Sequence, residues 1–404
     1  MSKYYIRGYP APLIIISFFT GITWGLMSAV IAPYLKGLGY TATEYGILGS
    51  LTVLSSVLFT FASGVLSDYL GAKKIFFIGL LLSGASFFLI SSTDKLLIML
   101  GYLLLGSTSS LAYTASSTLV ARSVPDDKLH YMYSYIGSAN TLGIASGGFL
   151  GWIPVLLSGA ISIPIEQMYI YTIIGIGLLR FAISPLALLV SEVGLGEGRR
   201  LRDVIQGFKG LGIVYWIVLL NILIGFGAAL SIHNIDYYFT LKFNVSSGEL
   251  GSIFGIENLI MAFIMYKLPG LADRLGGAIK LYILLALSSL PLLIGMTLTD
   301  IFFISAFLFI VRTILMNVAN PLYTAFIMRL IPHDRRGVGS ALFSLAWNIP
   351  AGLGRAVGGY ILDIDIELPL RLTTLFYGVS IAGLAFLVHI FRLEKKDIYQ
   401  EVNA

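Results

Sequence analysis

Four ionisable side chains stand inside long apolar stretches of this chain: Glu257, Arg180, Arg312 and Arg355. A charge in apolar surroundings is costly to keep, so each marks function by default. A carboxyl so placed can take up and release a proton, and a guanidinium can hold an anion or tune the carboxyl. At the helical rise per residue, Glu257 lies roughly 15 Å into its stretch, Arg312 about 18 Å and Arg180 about 20 Å. Glu257 is therefore the candidate proton carrier, with Arg312 and Arg355 as candidates for binding or for adjusting it.

Polar and aromatic companions recur at helical spacing. Ser305, Arg312, Asn320 and Tyr323 fall along one side of one stretch. Ser344, Asn348, Gly352, Arg355 and Gly359 do so on the next, and Thr20, Trp24 and Met27 on the first. His233, Asn234 and Asp236 close another stretch, where a gate, a cation site or a solvated helix end would all use such residues. Trp24 and Met27 read equally as packing, and Asn140, Asn221 and Asn317 as bonds across helices. No nucleophile and base share a recognisable spacing, which argues against an enzyme. Cysteine is absent and the four histidines are scattered, so no metal site and no cofactor is expected. No phosphate-cradling G-x-x-x-x-G-K-[ST] occurs, which argues against an ATP-driven pump.

The elements that must position these groups follow from composition. Of 404 residues 57% are hydrophobic and 12% charged, too few charges to cover a soluble surface. A bilayer core needs roughly 20 apolar residues per helix. Twelve stretches qualify, approximately 12–35, 43–67, 74–92, 95–121, 130–157, 167–191, 212–240, 247–271, 279–298, 301–328, 337–362 and 369–391. The first is read as a retained span rather than a signal peptide. With the N-terminus inside, nineteen of the 26 Lys and Arg fall on the cytoplasmic side, four outside and three within spans. That asymmetry predicts a multi-pass protein of the cell membrane with both termini cytoplasmic. The basic residues sit in short loops, so the net charge of +5 does not read as a nucleic-acid footprint.

The chain repeats itself. Gly64–Lys74, "GVLSDYLGAKK", returns as Pro269–Lys280, "PGLADRLGGAIK", with Asp68 and Asp273 205 positions apart. Glu44 and Glu249 share that shift, as do Gly46 and Gly251. "RSVPDDK" from Arg122 returns as "RLIPHDR" from Arg329, and Gly147-Gly148 as Gly358-Gly359. Two six-helix bundles, 1–191 and 212–404, joined by a cytoplasmic linker at 192–211, are expected in parallel orientation. With these residues the chain resembles the major facilitator superfamily over essentially its whole length. That family's signature between spans 2 and 3 reads roughly G-x-L-A-D-R-x-G-R-K. Gly64, Leu66, Asp68, Gly71 and Lys73 match it, while Tyr69 and Ala72 replace basic residues. The second copy keeps Leu271, Ala272, Asp273, Arg274 and Gly276. The resemblance is to drug exporters, although Tyr102 stands where those carry an Arg in span 4, and "GIASGGFLG" in span 5 lacks their Pro.

The resemblance implies an all-α twelve-span fold, with spans 1, 4, 7 and 10 around a central cavity and span 6, with Arg180, peripheral and structural. It implies that Gly64, Asp68, Gly71, Lys73, Asp273 and Arg274 form a cytoplasmic gate motif, Asp68 accepting from a neighbouring helix N-terminus. Gly64, at i−4 from Asp68, would permit close approach. The expected function is secondary transport of a small organic solute by alternating access in a lipid bilayer. Proton-coupled export of amphipathic compounds by a monomer comes first, and organic-anion transport second. A non-transporting receptor or a lipid scramblase is the alternative of another class. The pathway residues are Glu257, Arg312, Arg355, Asn348, Asn320, Tyr323, Trp24 and Asp236.

Overall fold

Backbone in hydrocarbon must satisfy its own hydrogen bonds, and the helix does so within one segment. The structure, a computed structural model, describes residues 11–123, 129–190, 212–274, 278–318, 320–331 and 336–391, and contains no strand among them. The helices are α1 (Ala11–Gly37), α2 (Ala42–Leu70), α3 (Ala72–Ile90), α4 (Lys95–Ser123), α5 (Leu129–Leu150), α6 (Trp152–Ile161) and α7 (Ile165–Ile183). They continue with α8 (Val214–Ser231), α9 (Ile235–Phe243), α10 (Ser247–Arg274), α11 (Ala278–Thr297) and α12 (Phe302–Asn317). The last are α13 (Asn320–Leu330), α14 (Arg336–Ile364) and α15 (Leu368–Ile390). Ten helical runs among the described residues are long and apolar enough to cross a bilayer, and α12 is a shorter apolar helix. With the 29-residue α14 they make the all-α, twelve-span architecture.

Four expected spans are not single helices; the fifth, expected over 130–157, divides at Gly151 into α5 and α6. The tenth, expected unbroken over 301–328, divides into α12 and α13. Pro321, in the first turn of α13, lacks the N–H that a continuous helix would donate to the Asn317 carbonyl. Ser305 and Arg312 therefore do not share one helix with Asn320 and Tyr323. The seventh is interrupted by a 3₁₀ turn at Ile232–Asn234. There Asn234 Nδ2 donates to the Arg355 carbonyl at 3.0 Å, so side-chain bonding supports the break. The sixth ends as a helix at Ile183 and runs on as a 3₁₀ turn, Ser184–Leu189, containing Pro185. By contrast, Pro350 lies inside α14 without ending it.

The repeated acids at the starts of spans 2 and 8 are capping boxes. The Thr41 N–H donates to Glu44 Oε2 at 3.0 Å, and the Glu44 N–H to Thr41 Oγ1 at 3.2 Å. Ser246 and Glu249 repeat the exchange at 2.8 and 3.3 Å. Each box satisfies donors that a helix start leaves open. Between α2 and α3 the chain turns at Gly71, whose φ of 89° few other residues accept.

The described residues pack as two compact units. One gathers Phe239–Leu259 with the residues before 41 and those from 51 to 190; the other gathers Thr41–Ser50 with those from 212 to 238 and from 260 onward. In the first unit α1 lies against α5 through glycines. Gly21 and Gly25 face the carbonyls of Asn140 and Ile144, while Gly143 and Gly147 face those of Phe18 and Ile22. Gly148 of α5 and Gly251 of α10 also meet backbone to backbone. The second unit repeats the device: Gly358 of α14 faces the Leu230 carbonyl, and Gly46 and Gly359 face those of Arg355 and Ala42. Lipid is as apolar as leucine, so close packing rather than water exclusion holds such helices together. Each unit has its own apolar core, around Ile16, Phe76 and Leu80 in the first and Ile217, Tyr282 and Leu384 in the second. Leu58, Phe263 and Phe303 are among the exposed large apolar side chains.

Candidate functional site

Each unit has a partly open cavity of about 350 Å³. In the first it lies among α1, α3, α4, α5 and α7, and Thr20 and Trp24 of α1, Tyr113 of α4, Asn140 of α5 and Arg180 of α7 form part of its wall. The α1 stripe of Thr20 and Trp24 thus does face a cavity. Met27, at the same spacing, is buried as packing. Asn140 Nδ2 donates to the Ser17 carbonyl at 3.2 Å, a bond across helices.

The second cavity is lined by Asn221, Asn320, Tyr323, Ser344, Trp347 and Tyr377, among others. Asn320 and Tyr323 reach it from α13, and Tyr323 stacks on Tyr282 with ring centroids 4.5 Å apart. Arg312, on α12, is 1% exposed, and its Cζ lies 5.2 Å from the Tyr377 ring centroid. Its Nε and Nη2 make no hydrogen bond among the described residues. A buried guanidinium over an aromatic face gains cation–π attraction, yet its open donors still favour an acceptor. Asn348 folds back on its own helix, its Nδ2 donating to the Ser344 carbonyl at 2.8 Å.

Arg355 and Asp236 belong to a different cluster, where α14 meets the starts of α2 and α9. Arg355 Nε donates to Asn234 Oδ1 at 3.3 Å. Its guanidinium occupies the space that a side chain at Gly49 would fill. Asp236 accepts from the Tyr45 hydroxyl, and Tyr45 stacks on Tyr237 at 4.4 Å. Beside them Asp363 of α14 accepts from the Ala42 and Thr43 N–H groups at 2.9 and 2.8 Å. No group of three metal-ligating side chains occurs among the described residues.

Glu257 lies on α10 in the first unit and is 8% exposed. Its helix abuts α5 where Gly255 meets Phe149 and the Ala145 carbonyl. At the motif between α2 and α3, Asp68 pairs with Arg122 of α4 at 2.7 Å. Arg122 is thus a described partner of Asp68 that the resemblance did not suggest. Gly64, expected to permit close approach, has no described atom within 4 Å of where its Cβ would be. Gly71 supplies the turn, and Lys73 lies in the first turn of α3. The side chains of Asp273 and Arg274 lie outside the described residues.

Sequence reasoning missed Arg122, Tyr45, Asp363 and Tyr377. Arg122 opens a repeated segment and could have been found there. Asp363 reads from sequence as an ordinary solvated helix end, and Tyr377 as one aromatic among many.

Twelve apolar spans written as a doubled repeat, with polar cavities between the helices, define a polytopic membrane transporter. The profile of the Major Facilitator Superfamily matches residues 13–354, and the chain belongs to that family, whose members are transporters rather than enzymes. It is 25% identical over 366 residues to MJ1560, an uncharacterized MFS-type transporter of Methanocaldococcus jannaschii, covering 87% of this chain and 90% of that one. It is 23% identical over 396 residues to the quinolone resistance protein NorA of Staphylococcus aureus strain MRSA252, covering 94% and 96%. A bacterial homolog of the human lysosomal transporter Spinster, solved in an inward-facing and unoccupied conformation, gives a TM-score of 0.77 at 12% identity over 98% of this chain and 99% of that one. The nucleoside transporter NupG gives 0.68 at 15% identity, over 94% and 98%. At such identities the likeness to these solved structures is one of fold.

Proposed function

We propose that this transporter is a proton-coupled exporter of amphipathic organic compounds, working by alternating access as a monomer in the cell membrane with both termini cytoplasmic. The observation that carries the reading is the pair of cavities of about 350 Å³, one in each unit, walled by aromatic, hydroxyl and amide groups. Such walls suit compounds with an apolar body and a few polar atoms. Similarity to a quinolone resistance protein supports export.

Glu257 is the proposed proton carrier, a carboxyl 8% exposed within a span. Arg312 and Arg355 adjust binding or coupling, and Asp68 holds the cytoplasmic gate. The test is transport into proteoliposomes under an imposed pH gradient. Glu257→Gln mimics the protonated acid, so it should lose gradient-driven accumulation and retain substrate exchange. Full gradient-driven transport by that variant overturns the assignment. Carriage of organic anions is a second reading, favoured by the open Nη2 atoms of both Arg180 and Arg312.

A further inference from the structure

The cavity of the first unit has one ionised group on its wall among the described residues, and it is a cation. Arg180 is 3% exposed. Its Nε donates to Thr23 Oγ1 at 2.8 Å and its Nη1 to Ser83 Oγ at 3.5 Å, and its Cζ lies 6.0 Å from the Phe87 ring centroid. None of these partners carries charge, and Nη2 is buried with no partner among the described residues. Ser109 Oγ, on the same wall, is also buried and unpartnered. Among the described residues no Asp or Glu lines the space.

A guanidinium kept only to bolt helices together is expected to use all its donors within the protein, because buried donors left open are costly. Here two polar atoms without a described partner belong to residues of one cavity's wall, and no counter-ion for the charge is found among the described residues lining it. In a site of low effective dielectric an uncompensated cation attracts an anion strongly at a few ångströms. The rest of the wall supplies the other half of an amphipathic ligand's requirements. Trp24, Tyr113 and Tyr133 offer ring faces, and Ser116 and Ser117 offer hydroxyls.

We propose that this cavity is a recognition subsite for the anionic group of an amphipathic substrate, a carboxylate carried on an aromatic body. Arg180 supplies the charge and Ser109 a donor, and the three aromatic side chains receive the ring. The inference rests on the transport reading only in calling the ligand a substrate, since binding is measurable without transport.

The test uses the full chain in nanodiscs of zwitterionic lipid, so that no lipid brings net negative charge. Two probes share one ring, 2-naphthoate and the neutral 2-naphthamide, and binding is read from quenching of tryptophan fluorescence, with Trp24→Phe locating the signal. Naphthoate should bind about tenfold tighter than the amide or better. Arg180→Gln should remove that preference while leaving amide binding within about twofold, and Arg180→Lys should keep part of it. Should Arg180→Gln fail to fold, two variants that leave Arg180 intact decide. Ser116→Leu, which fills the cavity, should weaken both probes, and Ser109→Ala should weaken naphthoate more than the amide. Equal binding of the two probes by the unmodified protein overturns the inference, as does a preference unaltered in folded Arg180→Gln or in both serine variants. Either result leaves the proton-coupled transport reading intact, and failure of the Glu257→Gln test leaves this one intact.

Discussion

Asp68 and Arg122 tie α2 to α4 by a single ion pair. The two groups meet at 2.7 Å with side chains 30% and 16% exposed. A partly wet ion pair of this kind couples by about 0.5–1 kcal/mol. Asp68→Asn, Arg122→Gln and the double variant form a thermodynamic cycle, and thermal unfolding should return a coupling energy in that range. If the pair also holds the gate, either single variant should speed labelling of engineered thiols along the cytoplasmic half, and by similar factors. A faster rate in Asp68→Asn alone means that the carboxylate works through another partner. Arg180 teaches the opposite lesson. Its depth was legible in the sequence, yet its helix is peripheral in the family's scheme, so it read as structural. Only the cavity wall and the orphaned Nη2 give it a ligand-facing role. Tyr377, whose ring lies beneath Arg312, was illegible because nothing in sequence joins residues 65 positions apart on different helices.

At the level of elements, the start of α2 is capped twice, from within by Glu44 and from α14 by Asp363. Burial pushes the Asp363 carboxyl up, but donation from Thr43 and from the Ala42 N–H outweighs it and holds the group below the usual carboxylate range. The positive end of the helix dipole favours the same ionised state. A carboxyl with a depressed folded pKa contributes stability above its unfolded value, about 3.9, and loses it as pH falls through the folded one. The unfolding midpoint of the unmodified protein should therefore exceed that of Asp363→Asn near neutral pH. The gap should close as the medium is acidified below about pH 3.9. Parallel curves across that range overturn the capping role. Apolar runs made all twelve spans visible in the sequence, and Pro321 marks the break between α12 and α13 for a reader who weighs it. The 3₁₀ turn at Ile232–Asn234 had no such mark, since it is supported by side-chain bonds to α14. Likewise the repeated Glu44 and Glu249 were visible as a repeat, but their pairing with Thr41 and Ser246 becomes evident only once the helix starts are fixed.

Across the whole molecule, the distribution of Lys and Arg makes a prediction that needs no substrate. The protein has no cysteine, so one engineered thiol reports one position. Thr93→Cys, between α3 and α4, should react with a membrane-impermeant maleimide in intact cells. Lys74→Cys, in the first turn of α3, should react only after the cells are opened. The reverse pattern overturns the orientation with both termini cytoplasmic. The doubled architecture itself was the most legible feature of all, because the shift of 205 recurs at three separate pairs of residues.

The paired glycine crossings carry a consequence for how this protein can change. At Gly46, Gly148, Gly251 and Gly359 a neighbouring backbone already fills the space that any side chain would claim. The cavities, by contrast, are walled by side chains whose exchange alters volume or polarity without moving a backbone. Mutation can therefore explore new cargo at the cavity walls with little penalty, while the four glycines of these two crossings tolerate almost no alphabet beyond glycine. A lineage of such proteins would diversify in what it carries long before it could alter how its helices cross.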